Sequence, residues 1–212
     1  MPKVALTLFT IGHSTRSLDE FVAILKAHGI CVVADVRTVP RSRHVPQFNT
    51  ETLGPDLSRT GIEYVHLPQL GGLRKTKADS TNLAWRNASF RGYADYMQTP
   101  AFHEGLDELV RIAATKLTTI MCAEAVPWRC HRSLIGDALI ARGWQVIDLM
   151  SERSAKPHKL TEFAQVKGTR VTYPAEHKQD DPCLPYPPDI RGEKPPEAPR
   201  PARRNARRHP TG

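Results

Sequence analysis

Two cysteines, a glutamate, a histidine and two arginines crowd into the stretch CAEAVPWRCHR, residues 122–132. If Cys130 sits in the first turn of a helix, beside Arg129, His131 and Arg132, several influences act together to lower its pKa. That is how an activated nucleophile is made, with His131 and Glu124 at hand as catalytic partners. The same free amides and guanidinium groups, Arg132 foremost, would instead hold a phosphate. A phosphate loop built on a strand-end cysteine wants its arginine six positions on; counted from Cys122 that position is Trp128, and Arg129 comes one late. A zinc site needs about four ligands, usually in short pairs. Cys122, Cys130, His131 and a distant His13 make such a set only by supposition, so no metal is assigned and no cofactor is named. A buried structural cysteine at position 130 is the competing reading.

Other reactive types recur where strands should end. TIGHS puts His13 and Ser14 behind a glycine that permits a tight turn, His13 as general acid/base and Ser14 as anion donor. Asp35 closes the apolar run ICVVAD, so this carboxylate needs a partner, and Arg37 two residues on would point to the same side. Arg41, Arg43 and His44 follow in a basic loop, with Phe48 available to stack on a base. Gly71 and Gly72 follow the run IEYVHLP.

These residues need a scaffold that brings them together. LTLFTIG (6–12), ICVVADVR (30–37), IEYVHLP (62–68), LTTIMCAE (117–124) and WQVIDLM (144–150) read as five strands. Amphipathic segments lie between them. SLDEFVAILKAHG (17–29) carries a capping box at Ser17 and Glu20 and a glycine stop at Gly29. A short helix is expected from Thr50 to about Thr60, further helices around YADYM and after Pro100, and one starting at Pro127 with Leu134, Ile135, Ala138 and Leu139 as its buried stripe. HKLTEFAQ (158–165) reads as a small helix and TRVTY (169–173) as an extended piece. Near-continuously apolar strands alternating with helices predict an α/β fold: a mostly parallel sheet of about five strands with helices on both faces, a Rossmann-like three-layer arrangement. In such a sheet ligands bind outside the carboxyl ends of the strands, and four strand ends carry the reactive residues.

The chain has 212 residues, 40% of them hydrophobic and 25% charged, enough for one ordinary domain, expected over residues 1–173. From Pro174 the composition turns to proline and arginine, read as a disordered basic tail over 174–212. No apolar run approaches the roughly 20 residues that span a bilayer, so no membrane partner is expected. Scattered cysteines suit a reducing cytoplasm. The formal net charge of +8 favours an anionic small molecule or nucleic acid as partner. Nothing in the sequence sets the oligomeric state.

The motifs TIGHST, DVRTVPRS, GIEYVHLPQLGG, YADYM, CAEAVPWRCHR and HKL (158–160) together resemble the bacterial family of domain of unknown function 488 proteins, over most of residues 8–165. The resemblance implies a compact α/β domain and names no reaction. Asp148 stands where it leads one to expect a histidine, which counts against a role for that position. Function is therefore expected from the residues themselves: an enzyme acting on a phosphate-bearing, nucleotide or nucleic-acid substrate, or else a non-catalytic module binding the same ligands.

Overall fold

The computed structural model describes residues 6–175; the expected tail, beyond its first two residues, lies outside them. Five parallel strands form the sheet: β1 (Thr7–Gly12), β2 (Val32–Asp35), β3 (Glu63–His66), β4 (Thr118–Cys122) and β5 (Gln145–Ser151). A sixth strand, β6 (Ser154–Pro157), pairs antiparallel with β5, giving the order β3-β2-β4-β1-β5-β6. The expected α/β class and mostly parallel sheet are what the structure has, with one strand more. A hairpin of β7 (Gln165–Lys167) and β8 (Arg170–Thr172) lies apart from the sheet.

Five α-helices cover both faces. α1 (Leu18–Ala27) and α2 (Thr50–Arg59) pack Phe21, Leu25, Leu53 and Leu57 against Ile11, Val33, Met121 and Leu149. α3 (Ala88–Tyr96), α4 (Pro100–Ala113) and α5 (Arg132–Ala141) pack Tyr93, Leu106, Leu109, Leu134 and Ile135 against Leu8, Ala34, Ile120 and Val146. Successive strand residues point to opposite faces, so each apolar strand feeds both cores. None of the helices among the described residues is long and apolar enough to cross a membrane.

The capping box of α1 is formed as its sequence predicts. The Glu20 amide donates to Ser17 Oγ, and the Ser17 amide donates to the Glu20 carboxylate at 2.8 Å. Ser17→Ala removes one half of this reciprocal pair and is expected to lower stability by about 1 kcal/mol, read as a shifted midpoint in urea denaturation at an unchanged slope.

Two segments depart from expectation. Pro127 does not open α5: it opens a 3-10 turn, Pro127–Arg129, after which Cys130 is fully extended (φ −129°, ψ 144°) and α5 begins at Arg132. HKLTEFAQ forms turns rather than a helix. His158 is drawn to carboxylates of α5 and β5, and the Thr161 amide donates to Asp137, contacts that outweigh local helical spacing.

Candidate active site

Because β1, β2, β3 and β4 run parallel, their carboxyl ends share one rim. There, a cleft of about 410 Å³ is lined by Arg37, Thr38, Val39, Gly72, Leu73, Phe90, Cys122, Glu124, Arg129, Cys130 and His131, among others. Three of these residues form its chemical centre. Cys122 ends β4 and points to the α5 side, as Ile120 does. The extended backbone at Cys130 breaks the path from the 3-10 turn into α5 and turns the Cys130 and His131 side chains back toward Cys122. His131 Nδ1 then lies 3.7 Å from Cys130 Sγ and 3.9 Å from Cys122 Sγ.

The imidazole is held from several sides. His131 Nε2 lies 2.9 Å from the Val36 carbonyl, which only an N–H can satisfy, so in the neutral ring Nδ1 carries the lone pair facing the sulfurs. The Tyr93 ring packs 5.0 Å from it, and Tyr93 itself is fixed by donating to the Leu70 carbonyl. Gly72 is tight against the ring: a Cβ there would sit 2.4 Å from Nδ1, the nitrogen that faces the sulfurs. This gives Gly72 a physical reason. Gly71 stands similarly close to Thr38, which closes the floor of the loop.

The two thiols are driven apart in acidity. The Cys130 thiol beside it, then His131 and Arg132, hold Cys122 well below the usual cysteine range, against the effect of burial. Cys130 is pushed well up, by the same proximity to Cys122 and by burial. Of the pair, Cys122 is the more acidic thiol and Cys130 the less acidic, the reverse of what local helix geometry suggested for Cys130.

The remaining site candidates fall into separate groups. Arg37 and Glu124 line the cleft, Glu124 exposed at its mouth. Asp35 does not reach it. Val33 and Asp35 share the α1/α2 face of β2, and Asp35 is completely buried there, accepting from the Arg37 side chain at 2.6–3.1 Å and from the Tyr64 hydroxyl at 2.7 Å. His13 lies behind the same guanidinium. It is 1% exposed, its Nε2 accepts from Arg37 Nη1 at 3.2 Å, and its Nδ1–H donates to the Ser14 carbonyl at 2.9 Å. Burial lowers its pKa. Both nitrogens are occupied, so His13 has no free position with which to meet a substrate. Its ring stacks on Phe48 at 4.2 Å, and Phe48, fully buried, is not available to stack on a base.

Ser14 sits at a positive φ of 51°, its amide tied to the Ala123 carbonyl, and does not line the cleft. Arg41 pairs with Glu51 on the surface. Arg132 is 1% exposed and donates to the carbonyls of Ile11 and Glu124, so its charge braces the loop and acts on Cys122 from behind rather than meeting an anion in the cleft. Gly12 makes room for it: a Cβ there would overlap the Glu124 carbonyl.

Two features are underrated by the sequence. Cys122 is weighed there only for a phosphate loop and a zinc set, although alternation from Ile120 puts it on the α5 face. The other is the cluster of Asp137, Asp148, His158 and Tyr173 behind the loop. Asp148 accepts from Thr10 Oγ1 at 2.7 Å and from His158 Nδ1 at 2.9 Å, so this position has a defined structural task where the family resemblance suggested none.

A mostly parallel sheet covered by helices on both faces places the molecule among the three-layer α/β proteins. Within that class the chain belongs to the family described as domain of unknown function DUF488, whose model matches residues 17–139, more than half of its length. No curated protein and no solved structure matches it.

Proposed function

We propose that the chain is an enzyme acting on a phosphate-bearing, nucleotide-like substrate in this cleft, with Cys122 as nucleophile. The observation that carries the reading is a thiol at the end of a central parallel strand, open to a cleft and facing the bare nitrogen of an oriented imidazole. Cys122 gives its proton to His131 Nδ1 and attacks phosphorus. An S–P bond forms, the P–O bond breaks, and the leaving oxygen takes the proton back from His131. Water, deprotonated by Glu124, then hydrolyses the phosphothiol linkage. Arg129, exposed on the cleft wall, neutralises phosphate oxygens. Val39 and Leu73, 62% and 77% exposed on the rim, and Phe90 offer apolar surface for a ring.

The alternative of a non-catalytic nucleic-acid module drew on the basic loop 37–49 and the tail. In the described residues that loop has Arg37 tied to Asp35 and Arg41 to Glu51, which leaves fewer free cations for phosphates and favours the cleft.

Alkylation by iodoacetamide followed against pH tests the reading. One fast-reacting thiol is expected, titrating below free cysteine, located at Cys122 by peptide mapping and lost in Cys122→Ser. Phosphoester turnover across a panel of nucleotides, followed by phosphorus NMR, is expected to fall by at least about a thousandfold in the same variant. Full turnover in Cys122→Ser would defeat the assignment.

A further inference from the structure

We propose that Cys122, Cys130 and His131 form a binding site for a soft divalent cation such as Zn²⁺, with one coordination position left open to the cleft. Two sulfurs and an imidazole nitrogen are the donor set such ions prefer, and three protein ligands with a free fourth position is the pattern of an open rather than a closed site.

The distances suit it. The three donor atoms lie within 4.8 Å of one another, with sulfur-to-nitrogen separations of 3.7 and 3.9 Å. A tetrahedral ion at normal Zn–S and Zn–N lengths holds its donors roughly 3.5–3.8 Å apart. The sulfur–nitrogen pairs therefore need to close by a few tenths of an ångström, and the two sulfurs by no more than about 1 Å.

The imidazole is set in advance. A metal-binding histidine commonly donates its second N–H to a carbonyl, which fixes ring orientation and tautomer. His131 makes that bond to Val36, and it aims Nδ1 between the sulfurs. Both cysteines are buried, at 9% and 4% exposure, so few water contacts compete with an ion for them. Gly72 leaves the approach to Nδ1 clear, where a Cβ would stand 2.4 Å from that atom. His13, the fourth ligand of the sequence-based set, stays outside, its nitrogens taken by Arg37 and Ser14. The fourth position thus falls to water or to a substrate oxygen entering from the cleft.

This inference rests on donor geometry and not on the nucleophile assigned above. A bound cation and an alkylating reagent compete for the same Cys122 sulfur, so the loaded protein is expected to be protected from iodoacetamide.

The test uses full-length protein, reduced and stripped with a chelator, then titrated with Co²⁺. The expected result is one equivalent bound, with thiolate-to-cobalt charge transfer in the near ultraviolet and the visible bands of four-coordinate cobalt, all displaced by one equivalent of Zn²⁺. Cys122→Ser, Cys130→Ser and His131→Gln should each weaken binding by more than about a hundredfold, since losing a group that only orients a ligand already costs about 10–100-fold. Circular dichroism of each variant checks the fold, and Gly72→Ala, which crowds Nδ1 while keeping all three ligands, should weaken binding too. Cys31→Ser should change nothing, since Cys31 is exposed and lies outside the donor set. The proposal fails if no stoichiometric charge-transfer band forms, or if the band survives loss of Cys122 and Cys130. Protein that binds no cation yet alkylates rapidly at Cys122 would sink this inference alone. Protein that binds the cation but loses no turnover in Cys122→Ser would sink the nucleophile alone.

Discussion

Asp35→Ala is expected to remove about 3–5 kcal/mol of folding stability, the range for breaking a buried ion pair from one side. Asp35 is fully buried and Arg37 is 7% exposed, so the guanidinium has little route to water once its partner is gone. The carboxylate accepts from Arg37 Nε and Nη2, from the Arg37 amide and from the Tyr64 hydroxyl. Deleting it leaves these donors unsatisfied and a cation uncompensated in the α1/α2 core. Against a typical total of 5–15 kcal/mol, that loss is a large share. Asp35→Ala with Arg37→Met is expected to recover much of it, because an apolar pair of similar volume has no charge to desolvate. Equilibrium urea unfolding of the single and double variants decides the matter. A single variant within 1 kcal/mol of the parent would mean that the pair is far better solvated than its burial indicates. The double variant also has a functional use. Arg37 anchors His13 through Nη1, so turnover that survives in it would show that this network supports the rim without touching substrate.

The layer arrangement was legible because local signals agreed with one another. Val32–Asp35 and Thr118–Cys122 are apolar and β-branched, α1 carries its own caps, and Pro100 begins α4 as its place in the sequence suggests. β6 was not legible. Ser-Ala-Lys-Pro has no apolar alternation, and a lysine and a proline are what an exposed antiparallel edge accepts. The rim was also legible, since chemistry-bearing residues stood at four strand ends. Which face each residue takes was harder, because a strand end serves two opposite surfaces. Asp35 follows Val33 to the α1/α2 side and takes Arg37 and His13 into its network, whereas Cys122 follows Ile120 to the α5 side. Residues that are equivalent along the chain are thereby separated by the thickness of the sheet. Cys130 shows a different gap. Its meeting with Cys122 depends on one extended residue between a 3-10 turn and a helix, and a proline that suits the start of either gave no sign of the break.

Raising the pH from about 6.5 to about 9 is expected to remove about 3 kcal/mol of stability through one residue, His158. Burial alone would lower its pKa, but hydrogen bonds and charge from Asp137 and Asp148 outweigh it and lift the value to about 9. A histidine whose folded pKa exceeds its unfolded one stabilises fully below the unfolded value, near 6.5, and the benefit is lost as pH climbs through the folded value. Between those limits the slope should approach 1.4 kcal/mol per pH unit, the signature of one proton released on unfolding. The group is well shielded, its side chain 7% exposed, so solvent screening takes little from the effect. It is also structurally central. Nδ1 donates to Asp148 of β5 at 2.9 Å, and Nε2 lies 3.2 Å from the Ser133 carbonyl and 3.5 Å from Asp137, both on α5. Asp137 is held in turn by the Tyr173 hydroxyl at 2.8 Å, and Gly136 lets the His158 ring lie against the helix. Cys122 works in the opposite direction, since a depressed thiol pKa adds stability as pH rises. The comparison must therefore be made between the parent and His158→Gln, both in Cys122→Ser background, by urea unfolding at several pH values from 6 to 10. The parent should lose stability more steeply than the glutamine variant, and the difference between the two is the contribution of His158. Cys130 and Tyr173, both raised by burial among other causes, add a falling slope common to both. Equal slopes in the two would mean that the imidazole is neutral between its carboxylates, and that α5, which begins at the thiol cleft, is held to β5 by some other means.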